Sequence, residues 1–175
     1  MKQFEDNGDW ESARQLLYAL WQLDKSNIDL LNRLIAECWL VMSDWDCCIN
    51  TDGLEYSNFQ SNLIEATAYG LNHFYENIWF LCLTGYMISL FPHFFYEDNN
   101  DGLYLFWEDN GKSMLKRSYD ISQDDLTNIL YLGSTDKIIK YKSKKKDFVL
   151  KCEAYFQGDT AIELYFRDVL LINID

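Results

Sequence analysis

The chain offers catalysis very little. It has two histidines, His73 and His93, and neither lies in the His-Glu-x-x-His pattern that would place zinc and a base on one helix face. No glycine-rich loop precedes a helix to cradle a phosphate, and no Gly-x-Ser-x-Gly surrounds the nucleophile candidates Ser89, Cys47 and Cys48. The five cysteines, Cys38, Cys47, Cys48, Cys82 and Cys152, are odd in number and form no Cys-x-x-Cys pair with histidine partners, which argues against a disulfide framework and against a zinc site. They read as buried thiols. Carboxylate pairs are present, such as Asp44 with Asp46, Glu97 with Asp98 and Glu108 with Asp109, but a chain this acidic supplies them by composition. A hydrolase working through such a pair is the remaining catalytic reading; the expectation is no enzyme, no cofactor and no metal.

The second scarcity is positive charge. From Leu34 to Gly111 there is no Lys or Arg, against twelve Asp and Glu, and the chain as a whole carries a net charge of −13. A phosphate backbone would be repelled by most of this surface, so nucleic acid is excluded as a direct ligand. A basic protein would be attracted and steered onto it. Plain solubility explains the same acidity without any partner. Seven of the fifteen basic residues fall in "KIIKYKSKKKDFVLK", 137–151, which reads as a solvated helix face or loop.

Third, there is one proline, and it stands in the longest uncharged run. "IWFLCLTGYMISLFPHFFY", 78–96, has no Asp, Glu, Lys or Arg and is long enough to cross a hydrocarbon core. Its flanks are acidic, Glu76 before and Glu97 and Asp98 after, where a spanning helix normally has a Lys or Arg. Gly85, Ser89 and His93 interrupt it, and Pro92 should end a helix that begins near Glu76. The run therefore predicts a central core helix and no membrane span. The first ten residues, "MKQFEDNGDW", lack a basic stretch followed by an apolar segment, and a cytoplasmic location is expected.

What is present is aromatic weight and helical periodicity. Six Trp, twelve Tyr and eleven Phe suit both a core and a recognition surface. "GDWESA" at 8–13 recurs as "SDWDCC" at 43–48, with two helix-like segments between. Asp9 is placed to cap a helix bearing Trp10, Ala13, Leu16, Leu17, Leu20 and Leu23 on one side, and "LDKSN" turns the chain. Asn27 caps the next, with Ile28, Leu31, Leu34, Ile35, Cys38, Trp39 and Met42 at helical spacing. "MLKRSYDISQDDLTNILYL", 114–132, lines up with "LLYALWQLDKSNIDLLNRL", 16–34, helix for helix and turn for turn. "SNFQ" at 57–60 reads as a capping box before Phe59, Leu63, Ile64, Ala68 and Leu71. "GDTAIELYFRDVLL" offers Thr160 as a cap with Glu163 three residues on, then Ile162, Tyr165, Phe166, Val169 and Leu170 on one face. At 147–156 an edge strand and a helix fit equally well.

The segment Gly8-Asp9-Trp10, Ala13 and Asp24 to Asn27 resembles a tetratricopeptide unit, departing from it at Lys25, where the family has proline, and at Leu20, where it has a small residue. The expected architecture is all-α, a compact stack of helical hairpins in one domain over 1–175, with tetratricopeptide-like hairpins at 1–56, central helices at 57–136 and a basic segment and closing helix at 137–175.

A second resemblance covers residues 74–171. "GYMISLFP" with Trp79 before it and Phe94 or Phe95 behind it, then Glu108, Gly111 and Met114-Leu115, then "GDTAIELYFRDVL", is similar to a group of small bacterial cytosolic proteins, some of which look like the immunity proteins encoded beside polymorphic toxins, including contact-dependent growth inhibition systems. In that pattern Gly85 allows close helix packing, Pro92 stops the helix, and Arg167 with Asp168 tie down the last helix. The resemblance implies a non-catalytic immunity protein whose partner is a cognate toxin domain, often a basic nuclease. A tetratricopeptide-like scaffold for a peptide or protein partner is the alternative. Exposure and charge density nominate the contacts: Asp44, Asp46, Asp52, Glu55 and Tyr56 around one turn, and Tyr96, Glu97, Asp98, Asp101, Tyr104, Glu108 and Asp109 around the next.

Overall fold

The computed structural model describes residues 1–97, 101–133 and 156–171, and all regular structure among them is helical. Helix α1 is Lys2–Asp6, α2 Trp10–Leu23, α3 Ile28–Ser43, α4 Tyr56–His73 and α5 Ile78–Leu90. A 3₁₀ turn, Pro92–Phe95, leads toward α6, Asp101–Ile121; α7 is Asp125–Gly133 and α8 Ala161–Leu171. The fold class is thus all-α, a stack of helical hairpins. The lysine-rich run, Cys152, Asp98 and all but Phe156 of the 147–156 segment lie outside the described residues.

The two first hairpins turn by the same device. Four residues separate α2 from α3 and α4 from α5, and each turn ends on an asparagine. The Asn27 side chain accepts from the N–H groups of Asp29 and Leu30, both at 3.1 Å, and that of Asn77 accepts from Phe80 N–H at 2.9 Å. Each satisfies donors that the first helical turn leaves orphaned. Asp9 caps α2 in the same manner, accepting from Ser12 N–H at 3.2 Å. The echo between 16–34 and 114–132 is structural as well: α2 and α6 end at the matching positions Leu23 and Ile121, and Leu17 and Leu115, also matched, are both buried.

The uncharged run is a core helix. α5 ends at Leu90, two residues before Pro92, and Pro92 opens the 3₁₀ turn, where its missing N–H costs nothing. Phe80, Leu81, Cys82, Met87 and Ile88 are buried, on a helix apolar all round because neighbours cover it. No helix among the described residues is long and apolar enough to cross a membrane. Gly85 does what close packing requires: a Cβ there would stand 2.9 Å from Met114 Cβ and 3.0 Å from the Gly111 carbonyl oxygen. Gly111 is its reciprocal, since a Cβ there would stand 2.8 Å from Ser89 N and 2.9 Å from the Gly85 carbonyl oxygen. Two glycines let α5 and α6 meet backbone to backbone.

Several expectations are corrected by this packing. α2 buries Ala13, Leu17 and Trp21 with Arg14, while Leu16 and Leu20 are 38% exposed and Leu23 86%. Both sides of that helix carry leucine, and Trp21, buried against Tyr18 and Tyr69, decides which side turns inward. Trp45 does not start a helix. It follows Asp44, the C-cap of α3, and packs edge-on against Tyr56 at 5.1 Å and Phe59 at 5.9 Å. Ser57 is already inside α4, whose N-cap is Glu55 without a side-chain cap bond, and α4 buries Ala66, Thr67 and Gly70 in place of Ile64, Ala68 and Leu71. Cys38 and Cys82 are buried as expected, but Cys47 and Cys48 are exposed.

What closes the molecule is polar. Arg33 on α3 donates to Glu5 of α1, to Glu37 one turn along at 3.1 Å and to Thr160 at 2.7 Å, and Glu5 in turn accepts the N–H of Ala161 at 2.7 Å. Thr160 and Glu163 form the expected cap: the Thr160 hydroxyl donates to Glu163 at 2.6 Å and Gly158 N–H donates to the same carboxylate at 3.1 Å. Arg167 and Asp168 are not among the ion pairs of the described residues.

Candidate functional site

α3 and α5 finish, and α4 and α6 begin, at one end of the stack. Gln60 in the second turn of α4 donates to the Tyr96 carbonyl at 3.0 Å, which fixes the start of α4 against the segment leading into α6. The two nominated acidic stretches therefore share this end. Asp46, Asp52 and Glu55 are exposed and Asp44 half-buried in the turn between α3 and α4; Tyr56 is half-buried against Trp45. Glu97 is exposed, Tyr96 half-buried, and Asp109 lies exposed two turns into α6. Asp101 opens α6; Asp98 is outside the described residues.

Along the chain no Lys or Arg occurs between Arg33 and Lys112, and Lys112 pairs with Glu108 at 3.1 Å. The other ion pairs among the described residues lie elsewhere: Lys2 with Asp6 and Asp159, Arg14 with Glu11, Lys25 with Glu65, Lys116 with Asp120, Arg117 with Glu76, and the Arg33 cluster. Asp44, Asp46, Asp52, Glu55, Glu97 and Asp109 are in none of them. Asp44 also sits at the C-terminus of α3, where the helix dipole is negative and an acid costs about 0.3–1 kcal/mol.

Beside the carboxylates is a feature that charge reading missed. Tyr104, Leu105 and Phe106 on the first half of α6 are 40%, 61% and 57% exposed, while Trp107 turns inward against Phe95 at 5.8 Å. Three consecutive large apolar residues cannot all face the core from one helix, and that spacing was the available signal. Tyr104 was nominated; Leu105 and Phe106 were not.

A concavity lies between α2, α3 and α8. It holds about 480 Å³ and is lined by Leu17, Leu20, Leu30, Ala36, Ile162 and Phe166, with Arg33 and Glu163 at its polar edge. The half-exposed Leu20 forms part of its wall.

Ser89 and His73 are otherwise engaged. Ser89 donates its hydroxyl to the Tyr86 carbonyl at 2.8 Å, and His73 sets its Nδ1 2.9 Å from the Tyr69 carbonyl while its ring stacks on Tyr69 at 3.9 Å. His93 is an exposed rim residue against Phe91 and Phe94, and partial burial lowers its pKa. Among the described residues no group of three or more His, Cys, Asp or Glu is placed to hold a metal ion.

Two half-buried tyrosines and a buried indole mark the border between this end and α8. Trp39 donates its Nε1–H to the Met87 carbonyl at 3.2 Å and packs edge-on to Tyr165 at 5.2 Å, whose hydroxyl lies 3.3 Å from that of Tyr86. Burial raises the Tyr165 pKa, the hydrogen bond with Tyr86 opposes the rise, and the charge of Asp44 adds to it. Comparison with known proteins leaves the geometry to speak alone, for the chain matches no protein-family model, no curated protein and no solved structure.

Proposed function

We propose that this is a non-catalytic immunity protein that binds and neutralises a cognate toxin domain, a basic nuclease, through its acidic end. The observation that supports it is the combination found there: carboxylates outside the ion pairs of the described residues, next to the exposed Tyr104, Leu105 and Phe106. A nuclease cleft is basic because it must hold phosphates. An array of exposed carboxylates steers such a surface into register, and a cluster of aromatic and aliphatic side chains supplies the desolvated anchor that charge alone does not. Action is stoichiometric, and the setting is a bacterial cytoplasm.

The test pairs the protein with the toxin domain encoded by the neighbouring reading frame. Association should slow as salt rises. Reversing Glu97, Asp98 and Asp101 to Lys should slow it at least tenfold and abolish protection of cells at normal abundance of the variant. Leu105→Ala with Phe106→Ala should instead speed dissociation. Full protection by both variants, and by one reversed at Asp46, Asp52 and Glu55, would sink the reading.

The apolar groove supports a second reading, a tetratricopeptide-like scaffold for a peptide. Leu20→Glu would then block partner binding while the acidic-end variants left it intact.

A further inference from the structure

Cys47 and Cys48 are adjacent in sequence, both exposed, and their sulfurs are 3.6 Å apart. The turn that carries them is closely determined. The Asp44 carbonyl accepts the N–H groups of Cys47 and Cys48 at 3.1 Å and of Ile49 at 3.3 Å. Asp46 is held at φ 58°, a left-handed conformation, and its carboxylate accepts the Thr51 hydroxyl at 2.9 Å. Trp45, wedged against Tyr56 and Phe59, anchors the turn to α4.

The sulfur separation selects a chemistry. A disulfide would require about 2.05 Å, and between neighbouring residues its Cα atoms would sit closer than the usual range, a strained and readily reduced arrangement. Two bonds of about 2.3 Å, the length of a zinc–thiolate bond, place their sulfurs about 3.5 Å apart at a bent centre and about 4.6 Å apart at a linear one. The 3.6 Å observed fits the bent centre without movement of the turn. A tetrahedral ion wants further ligands, and no third His, Cys, Asp or Glu is placed for one among the described residues.

We propose that Cys47 and Cys48 form a vicinal dithiol site that captures a trivalent arsenical, with both sulfurs bonded to one pyramidal arsenic that keeps its third, organic substituent. The step balances without an oxidant: two S–H bonds and the arsenic–oxygen bonds of R–As=O break, two As–S bonds form, and one water leaves with both thiol protons and the oxygen. Arsenic stays trivalent. The hydrogen bond to Cys47, the charge of Cys47 on ionisation and the neighbouring Asp44 raise the Cys48 pKa. The site is independent of the proposed partner, although its turn also carries Asp44, Asp46 and Asp52.

The probe is phenylarsine oxide added to the full-length reduced protein, read by intact mass. One equivalent should add one phenylarsenic less two hydrogens, be removed by a competing dithiol, and resist an equal concentration of a monothiol. Cys47→Ser and Cys48→Ser should each abolish the adduct, whereas Cys152→Ser, and Cys38→Ala or Cys82→Ala where these fold, should retain it. An adduct that survives Cys47→Ser, or no adduct at all, overturns the proposal. So does the loss of two hydrogens from this pair under glutathione disulfide together with no arsenical adduct, which would make it a vicinal disulfide.

Discussion

Two groups of carboxylates in this protein have opposite surroundings. Around Arg33, Glu5 and Glu37 are buried, at 8% and 0% exposure, and share one guanidinium that also reaches the start of α8. At the acidic end, Asp46, Asp52, Glu55, Glu97 and Asp109 face solvent outside the ion pairs of the described residues. Buried charge must be paired to be tolerated, so the first group is bound up with folding. The second can change without touching the core, which leaves it available for recognition.

The widest separation between the two groups should come from removing the shared cation. Arg33→Met leaves two carboxylates buried without it and should cost about 3–5 kcal/mol, seen as a lower denaturant midpoint. Adding Glu5→Gln and Glu37→Gln to that variant should restore much of the loss. A change below about 1 kcal/mol in the single variant would mean the cluster behaves like a surface pair.

Glu37 should make stability depend on pH in an unusual direction. Burial raises its pKa to about 7; Arg33 pulls it down but is outweighed, with the Glu5 charge adding to the rise. Its Oε1 is buried with no hydrogen-bond partner. Because the folded chain holds this proton more tightly, the contribution is complete below about pH 4.5 and is lost as pH rises through about 7, up to about 3 kcal/mol in all. Glu37→Gln should flatten the urea midpoint between pH 5 and 8. An unchanged slope in that variant would assign the pH dependence elsewhere.

The smallest effect on stability should come from the largest change of charge. Glu97, Asp98 and Asp101 reversed together to Lys should move stability by no more than about 1 kcal/mol per residue, measured by thermal midpoint and helicity. A cooperative loss of several kcal/mol would show that this end is part of the fold's own electrostatics, and the comparison would fail.

How far all this was legible follows from the range of each cause. Asn27 as a cap, Pro92 as a stop and Thr160 with Glu163 as a cap are decided within a turn of chain, and they were readable. The inward face of α2 was not, because Leu16, Leu17, Leu20 and Trp21 present apolar side chains on both sides and only contact with Tyr69 chooses between them. Trp45 repeats the neighbourhood of Trp10 but not its role, since the chain needs eleven residues from Trp45 to Glu55 before α4 begins. The Arg33 cluster joins residues from opposite ends of the sequence, and no local pattern announces it. The acidic end was visible as charge; the exposure of Leu105 and Phe106 beside it, and of Cys47 and Cys48, was not.

Gly85 and Gly111 have a consequence for speed. Where two helices touch through backbone atoms there are no side-chain rotamers to shuffle, so α6 cannot slide or roll along α5 by small steps. The helix that presents Tyr104, Leu105, Phe106 and Asp109 is thereby locked in place before any partner arrives. Little conformational freedom along this helix remains to be lost on contact, and an encounter that finds the right orientation can commit at once. In the proposed role, silencing another protein before it acts, such readiness counts for more than any additional bond.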